Sequence, residues 1–294
     1  LITFNNIPTT QRTPGVFVEV DNSRALKGLV PNPHKVLVLG QANGGTASAN
    51  TLRLISRENT AAGYFGTGSL LDRMCRKFKA NNPNTELWAI ALASAGGAVA
   101  SGVISFAGSA TGGGTLYMLV GGVAVHTPVT SGWSAADVMS AAASDIRANS
   151  ALAIKISYTA TKSMAYLLAN GSGEWGNGLD MRLNYYEGQV LPPGITYVLS
   201  VLEGGMENPE VDSAWAVCDG TQFHHIVNPY IDSTNIAAVE AELATRFGPM
   251  VDQQGYAYMA TRGALASCAA IGLRHNSPHQ TLIGIYDSPN GPEE

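Results

Sequence analysis

Between Pro14 and Asp21 the chain reads PGVFVEVD, in which Val16, Val18 and Val20 alternate with Phe17 and Glu19. A two-residue period puts one set of side chains on each face of a β-strand, so the pattern predicts a strand here. Pro14 and Gly15 open it; Asp21, Asn22 and Ser23 close it. The next strand-like run follows a loop rich in Pro and Asn, which leaves no partner nearby in sequence. A lone N-terminal strand satisfies its N–H and C=O groups either in its own sheet or on the edge of another chain's sheet.

From His34 to Ala91 strand and helix patterns alternate. HKVLVLG is a short, fully apolar strand. In SLLDRMCRKFKANNP, Leu70, Leu71, Met74, Cys75 and Phe78 recur at helical spacing, with Arg73, Arg76, Lys77 and Lys79 expected to face water. Asn81, Asn82 and Pro83 stop that helix, and ELWAIALA supplies a second buried strand. Strand, helix, strand in this order implies a parallel pair with a crossover.

From Ser94 to Glu203 the texture becomes Gly-rich and strand-rich. SGVISFAG, GTLYMLVGGVAVHTPV, ALAIKISYTA, MAYLLANG, LDMRLNYY and ITYVLSVLEGG read as short strands between Gly, Asn and Pro signals. Gly121 and Gly122 mark a two-residue hairpin turn. One helix interrupts the strands, capped by Ser134 with Asp137 three residues on and an apolar stripe of Val138, Ala142 and Ile146. From Ala214 the alternation returns: FHHIVNPY, the helix NIAAVEAELATRFGP with Ile236, Val239, Leu243 and Phe247 inward, then YAYMATRG, TRGALASCAAIG and TLIGIYD. The expected fold is α/β: an extended N-terminal arm (1–30), a split α/β domain (31–93 and 206–294), and an inserted small, mostly antiparallel β-rich domain (94–205).

Composition narrows the function. Charged residues make up 13% of the 294, against roughly 25% in an average soluble domain, so the chain has either a large interior or a surface covered by partners. The net charge is −5 and no basic cluster occurs, which gives no footing for nucleic acid. No apolar run approaches the ~20 residues that cross a bilayer, and the expectation is a soluble, non-exported chain. Cys75, Cys218 and Cys268 are far apart and outside any C-x-x-C pair, so they read as buried thiols of a reducing compartment. The chain starts on Leu1 and ends after a Pro and Gly turn at Glu293 and Glu294, the pattern expected of a trimmed fragment.

The strongest enzyme-like feature is LVLGQANGG, where Gly40, Gly44 and Gly45 follow a buried strand and could cradle a phosphate at a helix start. The spacing fits neither G-x-G-x-x-G nor G-x-x-x-x-G-K-[ST]. A nucleotide or sugar-phosphate binding enzyme using the Gly40–Gly45 turn is therefore the alternative function. His275 and His279 are four apart, but Pro278 lies between them and H-E-x-x-H is absent, which places them in a loop rather than at a metal. His224 and His225 are adjacent in a strand and expected on opposite faces. GTGSLL at Gly66–Leu71 fails the nucleophile-elbow pattern at its last position. Glu203, Glu207, Glu210 and Asp212 form a loose acidic cluster, read as a solvated turn.

Five strings in order, FNNIPTTQRTPGVFVEVDNSRA, GEWGNGLDMRLNYY, HHIVNPYID, the helix ending TRFGP, and RHNSPHQTLIGIYDSPNGPEE, resemble the contractile tail sheath protein of Mu-like bacteriophages. The resemblance runs from near the first residue to the last. It implies a non-enzymatic structural subunit, without cofactor, that stacks with other copies of itself in a helical sheath around a tail tube. Contraction of that sheath drives the tube through the host envelope. Implied partners are the tail tube protein and the baseplate and tail terminator proteins, with no nucleic acid and no membrane insertion. The implied location is the virion tail, after assembly in the host cytoplasm. The resemblance also implies that arms add strands to a neighbour's sheet, which makes Val16, Phe17, Val18, Glu19 and Val20 the expected subunit-interface residues. Relatives of this kind continue past Glu294 into a further C-terminal domain and arm, so the chain by itself is expected to be monomeric or weakly associated.

Overall fold

The computed structural model describes residues 7, 10, 12–20, 33–159, 161–218 and 220–293. The chain divides into two units, 1–33 and 34–294. In the second, the apolar run Lys35–Gln41 forms β1, followed by a short strand β2 (Leu52–Ile55), helices α1 (Thr60–Phe65) and α2 (Leu70–Asn81), and β3 (Glu86–Leu92). β1 and β3 pair in parallel from Lys35↔Glu86 to Gln41↔Leu92, as the strand, helix, strand pattern predicts. Ser69 caps α2 by accepting a hydrogen bond from the Asp72 N–H at 3.2 Å. Leu70, Leu71, Met74 and Cys75 are buried, and Phe78 packs against the core.

Two cations of α2 depart from the expectation that they face water. Arg73 and Lys79 are buried. Arg73 Nη1 lies 3.4 Å from Glu293 Oε1, and Nη2 donates to the Gly121 carbonyl at 3.4 Å. Lys79 Nζ donates to the carbonyls of Thr85 at 2.7 Å and Pro83 at 3.3 Å. Burial is tolerated because each charge meets oxygen from a segment that the periodicity of α2 does not include. Neither β2 nor α1 was expected from the sequence; at four and six residues they are too short for a period to show.

The next stretch is antiparallel. β4 (Val99–Gly108) is followed by the hairpin β5 (Gly114–Val120) and β6 (Val123–Val129). Its turn residues Gly121 and Gly122 have φ of 51° and 77°, the positive angles a two-residue loop requires. Helix α3 (Ala135–Ala148) opens with a full capping box. The Ser134 side chain accepts from the Asp137 N–H, and the Asp137 carboxylate accepts from the Ser134 N–H at 2.9 Å. Val138, Ala142 and Ile146 are buried, as expected. Then come β7 (Ile154–Tyr158), β8 (Met164–Ser172), a 3₁₀ turn (Glu174–Gly178), β9 (Met181–Leu183) and β10 (Ile195–Leu199). These strands form two sheets, ordered β10-β4-β8-β7 and β6-β5-β9.

The chain then returns to the parallel layer through α4 (Asp212–Trp215), β11 (His225–Val227), α5 (Ser233–Phe247), β12 (Tyr256–Arg262), α6 (Leu265–Arg274) and β13 (Gln280–Ile285). Ile236, Val239 and Leu243 of α5 are buried, but Phe247, expected inward, is 54% exposed. Arg246 is buried instead. Its Nε donates to Glu242 at 2.7 Å, its Nη1 donates to the Thr221 carbonyl at 3.0 Å, and its guanidinium lies over the Trp215 ring. The six-stranded sheet has the order β13-β12-β11-β1-β3-β2 and is parallel except for the edge strand β2. The protein is thus α/β, with a mixed, mostly parallel sheet and separate antiparallel sheets.

Register fixes which side chains share a face of the large sheet. Val36 pairs His225, Val38 pairs Val227, His225 pairs Tyr256 and Val227 pairs Tyr258, so these point the same way. Gly40, on that face by alternation, packs against Leu71 of α2. The opposite face carries Ala257, Met259, Gln280, Leu282 and Gly284. There Gln280 Nε2 donates to Glu240 of α5 at 2.5 Å, and Gly284 abuts Cys268 of α6. Helix α2 therefore covers the β1–β3 end on one face, and α5 and α6 cover the β11–β13 end on the other.

Candidate functional site

The Gly40–Gly45 turn does not make a phosphate cradle. It leads into the strand β2, not into a helix, and it packs on the carbonyl end of α1. The Asn43 N–H donates to the Phe65 carbonyl and the Ala47 N–H to the Tyr64 carbonyl, each at 2.9 Å. That is the negative end of a helix, the wrong polarity for an anion. Gly45, at φ 86°, is required because a Cβ there would lie 2.3 Å from the Tyr64 carbonyl oxygen. In an open parallel sheet, ligands enter beyond the strand C-termini where strand order reverses, here between β1 and β11. Trp175 of the 3₁₀ turn reaches that end of β1, donating from Nε1 to Gln41 Oε1 at 2.8 Å in a buried contact.

Other sequence candidates resolve into structure. Ser69 of GTGSLL is buried as the α2 cap. Cys75 and Cys218 are buried and Cys268 is half-buried, so the expectation of three buried thiols holds for two. Burial raises the Cys75 thiol far above its ordinary range and pushes Cys218 up to about 11. His275 and His279 lie in the loop after α6, beside Glu240 and the Phe247 ring respectively. Among the described residues, no group of three or more His, Cys, Asp or Glu could hold a metal ion.

His224 and His225 were expected to stay apart. They meet through His34, whose ring centroid lies 4.7 Å from one and 5.3 Å from the other. His34 Nδ1 is 3.2 Å from His225 Nε2, and His224 Nδ1 accepts the Lys35 N–H at 3.1 Å. Burial, then the His34 charge, lowers the pKa of both His224 and His225. The cluster was illegible in sequence because His34 lies 191 residues from His225.

A cleft of about 350 Å³ opens where the C-terminal ends of β11 and β12 meet the 3₁₀ turn, lined in part by Trp175, Asn177, Pro229, Arg262 and Pro292. Charged side chains hold its walls together. Arg262 Nη1 donates to the Gly178 carbonyl at 3.0 Å, and its Nη2 lies 3.7 Å from Asp180 and 3.3 Å from the Asn290 carbonyl. Arg182 bridges Asp180, at 2.6 Å, and Asp287. The strings GEWGNGLDMRLNYY, HHIVNPYID and RHNSPHQTLIGIYDSPNGPEE, far apart in sequence, thus converge on one cleft.

In the first unit, Val16, Val18 and Val20 are 94%, 79% and 86% exposed, Phe17 is 44% exposed and Glu19 is half-buried. Residues 12–20 belong to no strand among the described residues. The expected closing residues Asp21, Asn22 and Ser23, and most of the rest of the arm, lie outside the described residues.

No family model matches the chain. The Mu-like prophage FluMu tail sheath protein of Haemophilus influenzae is 32% identical over 290 residues, which cover 98% of this chain. The chain is a homologue of a Mu-like prophage tail sheath protein. It spans 59% of that relative's length. Two solved structures are also similar to this tail sheath homologue. The sheath tail protein of Listeria innocua aligns over 79% of this chain and 49% of its own at 12% identity, with a TM-score of 0.31. The sheath tail protein of Desulfitobacterium hafniense aligns over 93% and 56% at 10% identity, with a TM-score of 0.35.

Proposed function

We propose that the protein is a non-enzymatic structural subunit of a contractile phage tail sheath, which polymerises around the tail tube and shortens to drive it through the host envelope. The observation that carries this reading is the 32% identity sustained over 98% of the chain. The carbonyl-lined Gly40–Gly45 turn weighs against the nucleotide alternative. In this reading residues 1–30 are an arm and 94–205 an inserted β-rich domain between the two parts of the α/β domain, 31–93 and 206–294. Val16–Val20 add a strand to a neighbouring subunit's sheet, and their exposed valines support that role. The partners are other copies of the protein, the tube protein, and the baseplate and terminator proteins; the location is the virion tail. Energy is stored at assembly, as subunit bodies rotate into larger contacts while the arms keep them linked.

Negative-stain electron microscopy of the protein expressed from its native reading frame tests this, beside a Val18→Pro variant whose arm lacks one strand donor. Tubes from the wild type, and a folded but unassembled variant, are expected. A wild type that never forms tubes in the presence of tube protein overturns the sheath reading; tubes from Val18→Pro overturn the arm assignment alone.

A further inference from the structure

A parallel sheet is stable in water when helices cover both of its faces, because its strands are apolar on both sides. The large sheet meets that condition at one end only. β1 and β3 are buried nearly throughout. β12 alternates, with Ala257, Met259 and Thr261 buried under α5 and α6 while Tyr256, Tyr258, Ala260 and Arg262 on the other face are half-covered. On β13 that second face carries Thr281, Ile283 and Ile285, with Ile283 48% exposed, and Tyr286 beyond the strand is 80% exposed. Phe78 of α2 and Asn82 just past its end flank this surface. Between them and the sheet lies a largely apolar hollow of about 550 Å³, floored by Val36, Val227 and Tyr258.

We propose that the uncovered face of β11–β13 seats one further amphipathic helix of a full-length sheath subunit, supplied by polypeptide that the tail sheath relative has and the matched region does not span. The proposal rests on the homology reported above. Three parallel strands spaced about 4.8 Å apart present a floor about 10 Å wide, the diameter of one helix. The relative is longer than the match by roughly two fifths of its length, ample for such an element. The floor fixes the occupant's chemistry. Val227, Tyr258 and Ile283 call for an apolar stripe, while His34 and His225 at one margin call for polar flanks.

Hydroxyl-radical footprinting of dilute, unassembled protein tests the seat, comparing residues 1–294 with the product of the full native reading frame. Tyr256, Tyr258 and Ile283 are expected to oxidise at least about five-fold more slowly in the longer form, with Tyr186, 56% exposed and outside this sheet, unchanged as the control. Ile283→Glu in the longer form should restore fast oxidation of Tyr258 without altering Tyr186. Equal rates in the two forms, or a reading frame that adds no such segment, overturn the proposal. Protection that instead rises with the concentration of the 294-residue chain assigns the face to a second copy and overturns it too. Because unassembled subunits are measured, the result is independent of whether tubes form.

Discussion

The two ends of the large sheet are built from the same pattern and reach different degrees of completion. At the β1–β3 end, α2 buries seven of its residues, among them Asp72, Arg73 and Lys79. At the β13 end, α6 is more apolar, with Ser267 and Arg274 as its only polar residues, and it buries none. Leu265 and Leu273 are each 84% exposed. Local sequence makes both helices, but it does not decide how deeply they sit. Depth comes from a second layer: α2 is overlaid by the β5–β6 turn and the Glu293 segment, whereas among the described residues nothing of the kind lies over α6 or over the opposite face of β13.

Substitutions at the completed end should therefore cost far more. Arg73→Ala has the largest expected effect, about 3–5 kcal/mol, because it removes a cation paired with a buried carboxylate. Arg73 and Glu293 are 5% and 3% exposed. Urea denaturation measures the loss, and a change within about 0.5 kcal/mol would mean that Glu293 does not stay in its buried position. Leu71→Ala, in a fully buried site against Gly40, should cost about 2–5 kcal/mol. The corresponding truncation of exposed Leu273 should stay within about 0.5 kcal/mol.

Helix caps extend the comparison at smaller scale. Ser69→Ala removes the acceptor for the Asp72 N–H and should cost about 1 kcal/mol. Ala264, the residue before α6, has the extended backbone of a cap (φ −62°, ψ 152°) without a side chain to serve it. Ala264→Ser should return up to about 1 kcal/mol at the bare end. A destabilised Ala264→Ser variant would show that α6 does not begin there.

The elements that could be read from sequence are those whose cause is local. β1, β3, the Gly121–Gly122 turn and the Ser134 capping box are each determined by residues within a few positions. What was not legible depends on distant partners. The burial of Arg73 rests on Gly121 and Glu293, and the outward Phe247 follows from Arg246 taking the inner position against Trp215. The Gly40–Gly45 turn looked like a phosphate loop because the intervening strand β2, too short to show a period, was not visible. The convergence of three remote strings on one cleft was not read from the sequence, because neither periodicity nor spacing links residues so far apart.

The histidine cluster lies at the margin of the open face and gives it a pH signature. His224 and His225 are held below the ordinary value of 6.5 by burial and by His34, and Lys35 adds to the effect on His224. Tyr258 hydrogen-bonds His225, and Glu86 lies 4.0 Å from Lys35. The unfolded chain therefore takes up protons first as pH falls through about 6.5, while the folded chain resists until its lower pKa is reached. The stability present at neutral pH is lost across that window. The urea midpoint should fall as pH drops below about 6.5, and His34→Asn should flatten the fall. An unchanged slope in His34→Asn would remove the cluster from the account.

The most direct comparison of the two ends makes nearly the same change on one face of one sheet. Val38 and Ile283 both point to the α2 side, by register and alternation, at 1% and 48% exposure. Replacing either with Thr keeps a β-branched side chain, so strand propensity changes little. At Val38 the new hydroxyl enters a packed interior and should cost about 1–3 kcal/mol. At Ile283 it meets water, and the cost should stay under about 1 kcal/mol, from lost apolar contact alone. If the two variants melt alike, the faces are equally buried and β13 is already covered in the chain as it stands. If Ile283→Thr is mild in the 294-residue chain but becomes as costly as Val38→Thr in the longer product, the difference between the ends is a missing layer, and the strand itself is not at fault.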